Sequence, residues 1–259
     1  MKIDFDKIRQ KYEKELFNFK HMFFPCSNPK RLLIFFSSMG KDRYDRWSWF
    51  FDDKELWEGD TACLFIKDDS FHYFLGTDEF PLTMSIKKLI DFYLLKLSLT
   101  NDSCFTIGGS MGGYAAIYYA SFLSLNGAIV ANPQINIQSC VAHKYDNWER
   151  NAREAGHNFK DLCMFIHKRR IPNIYIEYGN YYADKIAMQH FIESCLDGEC
   201  LLILRKAPWN DHTVDCLSRF SILNAVFFFE NHGFDPIKAP RARKNICAIV
   251  PDISSNDIV

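Results

Sequence analysis

The chain has 259 residues, 48% of them apolar, enough to bury one sizeable core, and its 31 Lys plus Arg against 32 Asp plus Glu leave a formal charge of -1. No overall basic field therefore marks a nucleic-acid-binding protein. The charged first ten residues lack the apolar run of a signal peptide, the longest apolar runs fall far short of the ~20 residues of a membrane span, and nine scattered cysteines contain no Cys-x-x-Cys pair; the expectation is a soluble, cytoplasmic protein with no membrane span, disulfide framework or metal site.

From the N-terminus, Phe5 to Glu15 reads as a helix and Leu16 to Phe24 as an antiparallel edge strand. Short apolar runs bounded by turn residues then recur at Leu32–Phe36, Ala62–Ile66, Cys104–Ile107, Ala128–Ala131, Ile174–Tyr178 and Leu201–Leu204, as expected for strands covered on both faces. Helical spacing separates them, with Met84, Ile86, Leu89, Ile90, Tyr93, Leu94 and Leu97 on one face, Tyr114, Ile117, Tyr118 and Phe122 on another, Ile186, Met188, Phe191, Ile192 and Cys195 on a third, and a last helix from Leu217 to Phe228. The alternation predicts one α/β domain over 1–259, with a mainly parallel central sheet and helices on both faces. After the fourth of these strands, residues 133–170 form a polar, aromatic-studded excursion, expected to be a helical, cap-like insertion over the active site. Residues 238–259 read as weakly ordered.

The strongest local signal is Gly108-x-Ser110-x-Gly112, set directly after a strand and directly before a helix. A serine at such a turn is lifted out of the sheet edge, and the glycines are needed where strand and helix approach too closely for side chains. The following helix aims its first N–H groups at the site, which makes the Met111 backbone N–H an oxyanion donor. A serine hydroxyl is a weak nucleophile until a base takes its proton and a carboxylate orients that base. The turn resembles the nucleophile elbow of the α/β-hydrolases, and that resemblance implies an acid after the penultimate strand and a histidine after the last. Here Asp184 lies five residues beyond the strand ending at Gly179, and His212 follows Leu201–Arg205. Glu177 is the rival acid but sits within its strand. The second oxyanion donor is expected in the strand exit Phe36-Ser37-Ser38, at the Ser38 N–H.

With elbow, acid and histidine in this order, the chain resembles the α/β-hydrolase superfamily over roughly residues 30 to 230. Within it, the chain is similar to hydrolase-like enzymes of bacterial capsule biosynthesis, such as the meningococcal serogroup A capsule O-acetyltransferase. Phe36-Ser37-Ser38 looks like that group's Phe-Ser-Ala, Asn132-Pro133-Gln134 like its Ala-Pro-Gln, and Gly108 to Gly113 like its Gly-Ser-Ser-Lys-Gly-Gly, with Met111 in place of the lysine. The resemblance implies a sugar hydroxyl of a surface polysaccharide or its precursor as acceptor and acetyl-CoA as co-substrate, with no bound cofactor.

Around the triad, Trp209, Arg46 and Trp148 are candidate substrate contacts. The segment Lys41 to Phe50 has the aromatic and basic residues to grip a sugar, although Trp47, Phe50 and Phe51 at helical spacing read equally as core. The 133–170 excursion carries seven Lys and Arg against four Asp and Glu, a solvated face in the plainer reading and a grip for an anionic glycan or CoA phosphates in the other. Asp68 to His72 reads as polar loop rather than metal site. Three functions stay open: an esterase or deacylase, an acetyl-CoA-dependent O-acetyltransferase, and a catalytically silent glycan-binding or scaffold module. The partner is a small-molecule ester or a glycan, and the sequence sets no oligomeric state.

Overall fold

Consecutive apolar residues can be covered only if both faces of a strand are covered, and this sequence builds its sheet from such runs. The computed structural model describes residues 4–51, 53–166, 172–195, 201–215, 217–232 and 246–250. In chain order these form α1 (Phe5–Tyr12), β1 (Glu13–Leu16), β2 (Phe19–Phe24), β3 (Arg31–Phe36), α2 (Trp47–Phe50), α3 (Lys54–Glu58), β4 (Thr61–Ile66), α4 (Thr83–Leu97), β5 (Cys104–Gly109), α5 (Met111–Phe122) and β6 (Gly127–Ala131). There follow α6 (Ile137–Ala142), α7 (Asp146–Glu154), α8 (Leu162–Ile166), β7 (Asn173–Tyr178), α9 (Tyr182–Cys195), β8 (Leu201–Lys206), α10 (Arg219–His232) and β9 (Ile246–Val250).

The strands form one nine-stranded sheet in the order β1-β2-β4-β3-β5-β6-β7-β8-β9 among the described residues. Only β2 runs against its neighbours; every pairing from β4 to β9 is parallel. Strands β4, β5 and β6 are buried at every position. One core packs Ile86, Leu89, Tyr114, Ile117 and Phe191 of α4, α5 and α9 against one face; a second packs Phe50, Ile222 and Phe229 of α2 and α10 against the other. Helix α5 is buried along nearly its whole length, so its sequence is apolar all round rather than amphipathic.

The six central strands and four long helices lie where the sequence pattern puts them. Two expectations change. The N-terminal helix stops at Tyr12 because Glu13–Leu16 pairs with Phe19–Phe24 across a tight turn at Phe17 and Asn18, both at positive φ (55° and 61°). The predicted edge strand is thus a hairpin. In the tail, Ile246–Val250 adds a strand parallel to β8, where a weakly ordered segment was expected; residues 238–245 and 251–259 lie outside the described residues. So do Lys168, Arg169 and Arg170 of the basic excursion. Trp47, Phe50 and Phe51 belong to the core, with Phe50 against Phe35 and Trp47 against Phe5 and Phe51.

Candidate active site

The site begins with the turn between β5 and α5. A Cβ on Gly108 would fall on the carbonyl of Gly112, and a Cβ on Gly112 would fall on the carbonyls of Phe36 and Ser37. Both positions therefore exclude side chains, and β3 presses directly against the start of α5. Ser110 has φ 54° and ψ -121°, a conformation that costs a non-glycine residue about 1–3 kcal/mol. Its N–H donates to the Ala131 carbonyl at 3.0 Å, so β6 holds the strained turn. The hydroxyl accepts a hydrogen bond from Gln134 Nε2 at 3.1 Å. Met111 opens α5, where the first N–H groups of a helix have no intrahelical acceptor.

Two strands along the same edge, Asp184 stands in the first turn of α9 rather than in the loop before it. His212 lies between β8 and α10, and its Nδ1 is 2.7 Å from Asp184 Oδ1. A carboxylate at that distance fixes the proton on Nδ1 and leaves Nε2 as the lone-pair nitrogen. His212 Nε2 is buried and makes no hydrogen bond among the described residues. Burial pushes the Asp184 carboxyl above its usual range, and the bond from His212 partly offsets this. Glu177 is no rival: it is buried on the sheet and takes bonds from the Tyr175 hydroxyl at 2.7 Å and from Arg205 at 3.0 Å.

The histidine loop is tied to the serine turn. Val214 packs so closely on Gly109 that a Cβ there would overlap it. Asn132, at φ 41°, donates to the Thr213 carbonyl and accepts from the Gly179 N–H at 3.0 Å, joining the exits of β6, β7 and β8. The structure thus brings Ser110 and the His212–Asp184 pair to one sheet edge, without a hydrogen bond between Ser110 and His212.

The other expected site residues divide. Trp148 joins the site, its ring 5.1 Å from that of His212, with Tyr145 against it at 4.9 Å. Ser38 does not serve as expected, because its N–H already donates to Asp45 Oδ2 at 2.7 Å. Arg46 is not a surface grip: its side chain is 4% exposed, stacks over Trp49 and donates to the Val214 carbonyl, so it holds the histidine loop. Trp209 has a half-exposed side chain, and its carbonyl accepts from Asn180, which fastens the loop to the exit of β7. Asp68 folds its own loop by accepting from the N–H groups of Ser70 and Phe74, while His72 faces Glu154.

Sequence reasoning assigned no role to Gln134, Asn132 or His143. The first two belong to the tripeptide Asn132-Pro133-Gln134 but carry no chemical signature of their own. His143 sits in the excursion after β6, and nothing in its neighbours marks it; its Nε2 is 3.5 Å from Asp184 Oδ1 and its ring meets His212 edge-on at 4.4 Å. Ligand atoms of His143, Asp184 and His212 lie within 4.8 Å of one another, close enough to share an ion. Two imidazole nitrogens converging on one carboxylate oxygen also suit donors to an anion, and the 2.7 Å bond already engages His212.

Among solved structures, the chain is similar to the capsule O-acetyltransferase of Neisseria meningitidis serogroup A, with a TM-score of 0.61 and 14% identity over 85% of this chain and 92% of that one. A histidine-to-alanine mutant of that enzyme has been solved in complex with CoA. The fold is that of the α/β-hydrolases. An S-formylglutathione hydrolase of Staphylococcus aureus superposes equally well, with a TM-score of 0.61 and 13% identity over 82% of this chain and 92% of that one. A chain of the Glycosylation Associate Protein (Gap123) complex of Streptococcus agalactiae matches at a TM-score of 0.59 and 14% identity over 85% of this chain, which spans only 45% of its length. No protein-family model and no curated protein matches the sequence. Among the described residues no helix is long and apolar enough to cross a membrane.

Proposed function

We propose that the protein is a serine acyl-transfer enzyme in which Ser110 is the nucleophile, His212 its base and Asp184 the acid that orients the base. The observation that carries this reading is the part-buried His212–Asp184 bond at the sheet edge where Ser110 occupies a strained turn. Because Gln134 already donates to Ser110 Oγ, the hydroxyl proton is free to turn toward His212 Nε2. As Oγ attacks an ester carbonyl, Nε2 takes that proton and Asp184 stabilises the imidazolium. The Met111 N–H meets the oxyanion. Collapse expels the leaving group, which takes the proton from His212 and leaves an acyl-serine. A second hydroxyl, from water or from a sugar, gives its proton to His212, attacks the acyl-serine and frees Ser110.

Whether water or a sugar completes the cycle separates a deacylase from an O-acyltransferase. The aromatic wall of Trp148 and Tyr145 beside His212 supports a sugar substrate, since pyranose rings stack on such faces. The likeness to a capsule O-acetyltransferase supports a bacterial surface polysaccharide or its precursor as acceptor, and acetyl-CoA as donor. Helices α6 to α8 act as the cap, because α7 supplies Trp148. The experiment is hydrolysis of 4-nitrophenyl acetate by the wild type and Ser110→Ala, followed by discharge of acetyl-CoA with and without a polysaccharide acceptor. Ester turnover that needs Ser110 supports the nucleophile, and CoA release that needs acceptor supports the transferase. Equal background rates for both proteins would favour the silent module.

A further inference from the structure

We propose that His143 is a positioning residue of the base: its Nε2–H faces Asp184, and its ring walls His212 and so holds the His212 imidazole on Asp184. This rests on the reading of Ser110, His212 and Asp184 given above. The His143 and Asp184 side chains are each 1% exposed, and His143 Nε2 stands 3.5 Å from the carboxylate oxygen that His212 Nδ1 meets at 2.7 Å. The His143 ring also lies 4.6 Å from Trp148 and stacks on Tyr181 at 5.5 Å, and the same three rings surround His212, with His143 at 4.4 Å, Trp148 at 5.1 Å and Tyr181 at 6.3 Å.

The protonation of His143 follows from these neighbours. Burial, reinforced by the nearby His212, drives the His143 imidazole down to about 3, so it is neutral under ordinary conditions. A neutral imidazole has one N–H, and a lone pair aimed at a carboxylate is repelled. The proton therefore sits on Nε2, toward Asp184. Nδ1 is then a buried acceptor, and it has no partner among the described residues. An unpaired buried nitrogen is a cost that a phenyl ring of similar size would avoid, which argues against a purely packing role.

The placement is also fixed locally. His143 caps the C-terminus of α6, and a reciprocal capping box between Asn136 and Ser139 pins the start of that helix. The short helix thereby delivers one side chain from the excursion to the acid–base pair. The second N–H, 3.5 Å from the carboxylate oxygen that His212 engages, helps fix the Asp184 rotamer, and the His143 ring against His212 limits the swing of the base.

The test compares wild type, Ser110→Ala, His143→Phe and His143→Gln in two assays: the rate at which a fluorophosphonate probe modifies the intact protein, and kcat and KM for 4-nitrophenyl acetate. Gln places an amide N–H near the position of Nε2, whereas Phe keeps the ring and removes both nitrogens. The expected result for Phe is an unchanged or raised melting temperature, a fall in kcat and labelling rate on the order of 10-fold to 100-fold, and little change in KM. Gln should recover most of the lost rate. A Phe variant that labels and turns over like a labelled wild type would overturn the role of His143 and leave the nucleophile intact. Equal loss in Phe and Gln with a lowered melting temperature would also overturn it, as a packing defect. A wild type that labels no better than Ser110→Ala would remove the underlying reading and this inference with it.

Discussion

The turn at Ser110 is shaped by its nearest neighbours in sequence, glycines two residues on either side, a strand that ends one residue before it and a helix that begins one residue after it, with Ala131 and Gln134 of the β6 exit bonding it from outside. His212 is held from far away, by Asp184 at 28 residues' separation, by Asn132 through Thr213 at 81, and by Arg46 through Val214 at 168. The serine half is a backbone problem solved by sterics, while the histidine half is assembled from side chains on four separate elements. Damage to the first should therefore appear as misfolding or a dead nucleophile, and damage to the second as a graded loss of base strength or aim.

The largest effect is expected from Ser110→Ala and His212→Ala, each lowering kcat on a small ester by about 10⁴-fold or more with the fold retained. Circular dichroism and steady-state kinetics check both, and residual activity near wild type in either would separate the two halves in function. Asp184→Asn should cost about 10³- to 10⁴-fold, because the amide no longer fixes the Nδ1 proton; a variant with wild-type kcat would move the acid elsewhere. In the serine half, Gly112→Ala should cost about 3 kcal/mol of stability, since its Cβ meets the carbonyls of β3. A denaturant melt that matches wild type would show that the close approach is not obligatory.

A smaller effect concerns acid stability and distinguishes the histidine half alone. The unfolded chain takes a proton on His143 below about pH 6.5, while the folded protein refuses it until about 3. Unfolding therefore binds protons across that window, and stability is lost as pH falls through it, by about 2 kcal/mol at pH 5 for this group. Asp184, pushed up by burial, acts with the opposite sign over the carboxylate range, so the comparison is between wild type and His143→Phe. The Phe variant should lose less stability between pH 7 and pH 5; parallel losses would show that His143 takes up its proton without penalty in the folded state.

The same division decides what could be read from the sequence. The six central strands, the four long helices and the elbow were legible because each is written in consecutive or periodic residues. The Asp184–His212 pair was legible through chain order, as the likeness to the α/β-hydrolases implies. The excursion's aromatic Trp148 was picked out, but its partner His143 was not, because no periodicity or motif links position 143 to 184 and 212. Arg46 and Ser38 show the converse error: a basic residue and a backbone N–H beside a presumed site are available for substrate only if the fold leaves them unengaged, and here Val214 and Asp45 claim them. The hairpin at Phe17–Asn18 is not legible in the sequence because the turn uses positive φ without the glycine that usually announces it.

The most direct test of the central claim is intact-mass analysis after a fluorophosphonate probe, comparing the wild type with Ser110→Ala and His212→Ala. The account predicts one adduct on the wild type, mapped to Ser110, absent from the first variant and strongly slowed in the second. A folded wild type that forms no adduct, or one that labels equally well without His212, would contradict it.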